Sequence, residues 1–192
     1  MQIGLGKIAT ILKDKSQEQL WRLFIEGDMH AFNLIYSTHY QMLHNFGLKF
    51  LSTAEIEDAI HDTFLNLLSY KKSLKEVNNV KAYLFKCLRN QIFKIKKSNK
   101  LEFSLIEGTI QSDDETNDKE KALVELKKII LELSPREREI VYLKYFQSFN
   151  NKEIAELLDI KYQTVRNILA NAIIKLRALG DDIIPLLFLL FK

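Results

Sequence analysis

With a single cysteine in 192 residues, Cys87, the chain has no second thiol for an internal disulfide and no C-x-x-C pair for zinc or redox chemistry. That thiol reads as a small buried side chain. Prolines number two and glycines six, and no alternating apolar run is bounded by turn residues, so the pattern argues for helices. The expected fold class is all-α. Charge of neither sign dominates: 28 Lys and Arg stand against 25 Asp and Glu, a formal net charge of +3. Affinity for nucleic acid therefore has to come from local patches. Four histidines, His30, His39, His44 and His61, lack ligand spacing, so no metal site is expected. Nor is there a carboxylate pair, a nucleophile with a base beside it or a glycine-rich phosphate loop; the chain is expected to be no enzyme and to use no cofactor. The apolar stretch Ile183 to Phe191 is far short of the roughly 20 residues that span a bilayer. Met1 to Lys15 has too short an apolar run and no small-residue cleavage site for a secretory signal, so a cytoplasmic protein without membrane insertion is expected.

What is present is helical periodicity in two blocks. In the first, residues 16–100, Asp28 is placed to cap a helix with Phe32, Ile35, Tyr36, Leu43 and Phe46 on one face. Ser52 with Glu55 makes a capping box for a helix striped by Ile56, Ile60, Phe64, Leu67 and Leu68. A lysine-bearing connection from Tyr70 to Asn79 leads to a third stripe, Val80, Tyr83, Leu84, Cys87, Leu88, Ile92 and Ile95, beside Lys94, Lys96, Lys97 and Lys100. Residues 101–117 break the period: Glu107, Asp113, Asp114 and Glu115 gather with Gly108 and Ser112, the composition of an acidic tether. The second block, 118–179, restores it. Ser134, Pro135 and Glu137 give three agreeing helix-start signals, and Asn150 with Glu153 gives another start. An apolar tail, residues 180–192, closes the chain.

Asn151 to Leu169 fits a helix-turn-helix, with Ile154, Ala155 and Leu158 on the first helix and Val165, Ile168 and Leu169 on the second. Alanine suits a close helix crossing. Asp159 stands at the turn, where glycine would take a left-handed backbone at no cost and aspartate takes it at a small one. The second helix then presents Lys161, Tyr162, Gln163, Thr164, Arg166 and Asn167 outward, a mixture of phosphate donors and side chains able to read base edges. A helical hairpin with a merely solvated polar face has the same pattern.

The run Leu133 to Phe146 (LSPREREIVYLKYF), with Asn151 to Leu158 (NKEIAELL) and Ala172 to Arg177 (AIIKLR), resembles region four of the sigma-70 family. It also resembles the DNA-binding domains of some response regulators. The first block distinguishes them: Glu57 to Leu68 (EDAIHDTFLNLL) and Val80 to Asn90 (VKAYLFKCLRN), followed by a lysine cluster, resemble region two of the extracytoplasmic-function group, which keeps only regions two and four. The resemblance implies a promoter-specificity subunit whose partners are core RNA polymerase, at its largest-subunit clamp and its flap, and promoter DNA. A helix-turn-helix regulator that never joins polymerase and a protein-interaction adaptor stay open as alternatives.

Carried over residue by residue, the resemblance implies polymerase docking by Asp58, His61 and Asp62, which share one helix side. It implies minus-ten recognition and melting by Lys71, Lys72, Lys75, Asn78, Asn79, Tyr83, Arg89, Asn90, Lys94 and Lys97. That mixture suits the task, since a base held out of the stack needs amide or hydroxyl partners and a displaced strand needs cations and an aromatic platform. Tyr83 is equally placed to serve the core, and Asn78 or Asn79 to cap a helix. The minus-thirty-five box falls to Lys161, Tyr162, Gln163, Thr164, Arg166 and Asn167. The acidic tether matches the segment that in the family threads toward basic polymerase channels. Two departures stand out: Asn171, where the family commonly has a cation, and the tail, whose residues 182–192 are expected to dock on the protein itself or on an anti-sigma or recruiting partner.

Overall fold

The computed structural model describes residues 15–74, 77, 79–96 and 132–177. The chain divides into two compact units, Met1–Lys97 and Ser98–Lys192. Among the described residues both are built of helices and turns alone.

In the first unit Ser16 and Gln19 close a capping box at the start of α1 (Gln17–Glu26), which buries Leu20, Trp21 and Phe24. The helix ends on Gly27 at φ 108°, a left-handed cap that only glycine adopts freely. Asp28 follows and caps α2 (Met29–Gly47): its Oδ1 accepts the N–H groups of His30 at 2.8 Å and Ala31 at 3.2 Å. Ser52 and Glu55 box the start of α3 (Thr53–Tyr70), and a 3-10 turn, Lys71–Ser73, continues it. Asn79 caps α4 (Val80–Lys96), its Oδ1 accepting the Ala82 N–H at 2.9 Å. Asn78, the alternative candidate for that cap, lies outside the described residues.

These helices close on one aromatic core. Trp21 meets Phe24 and Tyr83 edge-on, Phe24 meets Phe32, Phe32 meets Phe64, and Phe46 meets Phe85, with centroids 5.0–5.9 Å apart. Each buried Leu or Phe contributes about 1.5–3 kcal/mol, so this cluster sets the helix positions. α2 lies against the other three helices, and α3 pairs with α4. At its end Gly47 is packed so closely on Ile56 that a methyl group there would overlap that side chain. The expected stripes hold with adjustments. Leu68 and Cys87 are half-buried, and Ile95, expected to face inward, is exposed because the last turn of α4 runs past the core.

In the second unit Ser134, Pro135 and Glu137 start α5 (Pro135–Val141) as expected. A π-helical turn, Tyr142–Phe146, extends it. The wider turn is closed twice by one residue: the Gln147 N–H bonds the Tyr142 carbonyl at 3.1 Å while its side-chain amide donates to the Tyr142 hydroxyl at 3.0 Å. α6 (Asn151–Leu158) is boxed by Asn150 and Glu153, and α7 (Tyr162–Arg177) follows after a three-residue turn. Ile154, Ala155, Leu157 and Leu158 of α6 and Val165, Leu169, Ala172 and Leu176 of α7 are buried. Ile168 is half-buried at the edge. The acidic tether, the start of the second block before Glu132 and the apolar tail lie outside the described residues.

Candidate nucleic-acid and protein interfaces

Asp159 takes the left-handed conformation, φ 53° and ψ 50°, and its N–H caps α6 on the Ala155 carbonyl. The turn thereby aims α7 across α6. Two charged contacts brace it. Arg136 pairs with Glu139 at 2.6 Å and reaches the last carbonyl of α6, at Leu158, at 3.4 Å. Lys175 donates to both carboxylate oxygens of Glu137 at 2.9 Å, tying the far end of α7 to the start of α5. Burial works to raise the Glu137 carboxyl, but the hydrogen bonds from Lys175 and Ser134 outweigh it and hold the group below its ordinary value.

With the apolar face of α7 committed inward, Lys161, Tyr162, Gln163, Thr164, Arg166 and Asn167 are all exposed. The Lys161 carbonyl accepts the Val165 N–H, so Lys161 sits at the helix N-terminus, where free N–H groups and a positive dipole favour phosphate. Gln163 donates to Asn167 one turn on, at 3.0 Å. Asn171 is exposed one turn beyond.

In the first unit charge is sorted between α3 and α4. α3 carries Glu55, Glu57, Asp58 and Asp62 and no lysine or arginine. α4 carries Lys81, Lys86, Arg89, Lys94 and Lys96 and no carboxylate. Asp58, His61 and Asp62 are exposed on α3, as their spacing requires, and Leu65, 46% exposed, extends that side by a turn. Leu65 went unnoticed in the sequence because it sits inside an apolar run; its offset from the Ile56–Ile60–Phe64 stripe was the available signal. Asp62 has a second engagement, accepting from the Gln91 amide of α4 at 3.0 Å.

Between α3, the 3-10 turn and α4 lies an open cleft of about 330 Å³. It brings together three expected residues, Tyr83, Asn90 and Lys94, and adds Asn66, Tyr70 and Gln91, which periodicity did not single out. Thr63, Leu67, Leu74 and Cys87 complete its wall. Tyr70 is 63% exposed, an aromatic face in contact with water. Tyr83 belongs to both core and cleft. Its ring packs on Trp21, and burial together with the neighbouring Cys87 pushes the phenol up to about 12, so it stays a donor at neutral pH.

Other expected residues are not gathered there. Arg89 is 8% exposed with its guanidinium 4.4 Å over the Phe93 ring, so it packs against the unit and does not line the cleft. Lys71 is half-buried near Gly27, and Asn79 is spent on its cap. Lys75 and Lys97 lie outside the described residues, as does the side chain of Lys72. Among the described residues no His, Cys, Asp or Glu group could hold a metal ion.

The sigma-70 region 2 profile matches residues 35–101, and that of sigma-70 region 4 matches residues 123–176. The chain belongs to the sigma-70 family. Carrying regions 2 and 4, it is a sigma factor of the extracytoplasmic-function type, acting in transcription initiation through a helix-turn-helix and an all-helical region 2. Two solved structures share the fold. CnrH, in complex with the cytosolic domain of CnrY, is 17% identical with a TM-score of 0.60, covering 86% of this chain and 97% of that one. RpoE, in complex with the anti-sigma factor NepR from Bartonella quintana, is 21% identical with a TM-score of 0.55, covering 77% and 95%. No curated protein sequence matches the sigma factor.

Proposed function

We propose that this sigma factor docks core polymerase through the exposed side of α3, takes a minus-ten nucleotide into the cleft between α3 and α4, and meets the minus-thirty-five box with the first turns of α7. The sorting of charge within the first unit carries the reading: one helix offers only carboxylates, its neighbour only cations, and the cleft lies between them. Opposite potentials on adjacent helices suit a protein partner with a basic surface on one side and a polyanion on the other. Tyr70 supplies a stacking face, Asn90 and Gln91 supply amides, and Lys94 supplies a cation, the components that hold an unstacked base beside its backbone. The flap of polymerase is the proposed partner of the second unit.

No catalytic chemistry is assigned to the chain, whose role is to position polymerase. The cytoplasm is the expected location, and no described helix is long and apolar enough to cross a membrane. Since CnrH is in complex with the cytosolic domain of CnrY and RpoE with the anti-sigma factor NepR, we assign an anti-sigma or recruiting protein as a further partner, with residues 182–192 as its docking element. Run-off transcription tests the main reading. Core polymerase with this chain alone should initiate at discrete sites; a chain that binds promoters yet never co-purifies with polymerase would be a free-standing regulator instead.

A further inference from the structure

We infer that Asp62 is a positioning residue for the cleft, fixing the Gln91 amide so that its oxygen selects a base with an exocyclic amino group, adenine, cytosine or guanine, over thymine. The inference rests on the reading of the cleft as a nucleotide site. A carboxylate only accepts hydrogen bonds, so the Gln91 group facing Asp62 Oδ2 at 3.0 Å must be the Nε2 amide nitrogen. That contact settles which way the side chain is turned, a choice an isolated glutamine does not make. Gln91 also lines the cleft, and among the described residues no other group bonds its amide. With nitrogen held by α3, the Oε1 oxygen is left as the acceptor on the remaining branch of the amide.

An acceptor in that place meets the amino group of adenine, cytosine or guanine favourably. Thymine instead has carbonyl oxygens on both sides of its single ring N–H, and these would face the Gln91 oxygen in repulsion. A glutamine free to flip would serve either kind of base. At about 330 Å³ the cleft is at the small end of ligand sites, which run from about 300 to 1,000 Å³, so it suits one nucleotide and not a stack. Asp62 is 29 residues from Gln91 in sequence, and the bond crosses from the acidic helix to the basic one.

The test uses full-length chain assembled with core polymerase and a DNA pool randomised across the minus-ten region, with the bound fraction sequenced and normalised to assembled holoenzyme. Wild type should disfavour thymine at one position and enrich a base that carries an exocyclic amino group there. Asp62→Ala should weaken that preference by roughly 3- to 10-fold, the worth of one hydrogen bond, while leaving other positions unchanged. Exchanging the pair, Asp62→Asn with Gln91→Glu, keeps an acceptor turned to the cleft and should restore the preference, which a merely structural role for Asp62 would not do. A profile altered by Gln91→Ala but not by Asp62→Ala overturns the positioning role alone. A profile untouched by Gln91→Ala, or enrichment of thymine by wild type with loss of it in Gln91→Ala, overturns the base assignment; the first of these also removes the cleft reading on which it rests.

Discussion

Gln163 donates its side-chain amide to Asn167 at 3.0 Å, so the two most versatile base-reading groups on α7 form one unit. The bond uses one Gln163 N–H and leaves the Gln163 oxygen and the Asn167 amide nitrogen to face a groove. Replacing Gln163 by alanine should therefore change base preference at one or two adjacent positions, because Asn167 loses its orientation too. Lys161, at the helix N-terminus, contacts phosphate in this reading. Lys161→Ala should weaken all sequences alike and reduce the salt slope by about one. Holoenzyme binding to a randomised minus-thirty-five pool at several salt concentrations separates the two; matching profiles for wild type and Gln163→Ala would remove the readout role.

Docking to polymerase should depend on charge at Asp58. This carboxylate is exposed on a helix without cations and contributes nothing to the core. Asp58→Lys should lower core-polymerase affinity by roughly 10-fold or more, since like charges brought together at an interface cost several kcal/mol. Helix content by circular dichroism should stay unchanged. Leu65→Ala should act in the same direction through lost apolar contact. Wild-type affinity in Asp58→Lys would move the docking surface elsewhere.

How much of this was legible in the chain follows from the range of each interaction. Asp28, Ser52, Ser134 and Asn150 were readable as caps because a cap bonds groups two or three residues away. Asp159 was readable because the turn's length forced its conformation. Arg89 and Ile95 were not, since inward or outward placement depends on how α4 rolls against Trp21, Phe46 and Phe85. The Asp62–Gln91 bond needs two helices already packed, so periodicity within either could not indicate it. The π turn is accompanied by a side-chain bond from Gln147 back to Tyr142, which helical periodicity does not encode.

Gly47 should tolerate no side chain. It lies where α2 approaches the first turns of α3, and the nearest atoms belong to the buried Ile56, whose own position is set by the core. Gly47→Ala should cost roughly 1–3 kcal/mol, the range for overpacking, although alanine is the better helix former. Pairing it with Ile56→Val should recover part of the loss. Denaturant titration followed by the fluorescence of Trp21, the chain's single tryptophan, reads this unit directly. An unchanged midpoint in Gly47→Ala would mean that α2 and α3 can separate freely.

Acid should weaken the two units in different pH windows. In the first, His39 is buried and bonded through Nδ1 to the Ile35 carbonyl at 2.8 Å. Burial lowers its proton affinity below the ordinary 6.5, the Ile35 carbonyl opposes this, and Lys81 reinforces it. The unfolded chain then takes up the proton first, so stability is full above 6.5 and falls as pH drops from there toward the lower folded value. In the second unit Glu137 is held below the ordinary 4.5, so its contribution is intact above that value and is lost as pH falls through the lower folded one. Thermal melts read by Trp21 should thus begin to shift just below pH 6.5, whereas the transition of the second unit, read by far-ultraviolet circular dichroism, should hold until below pH 4.5. His39→Gln can keep a donor for Ile35 without titrating and should flatten the first shift. Lys175→Met should remove part of the second unit's stability at neutral pH and reduce its further loss in acid. If both transitions fall together in one window, protonation of these two groups does not govern the acid response.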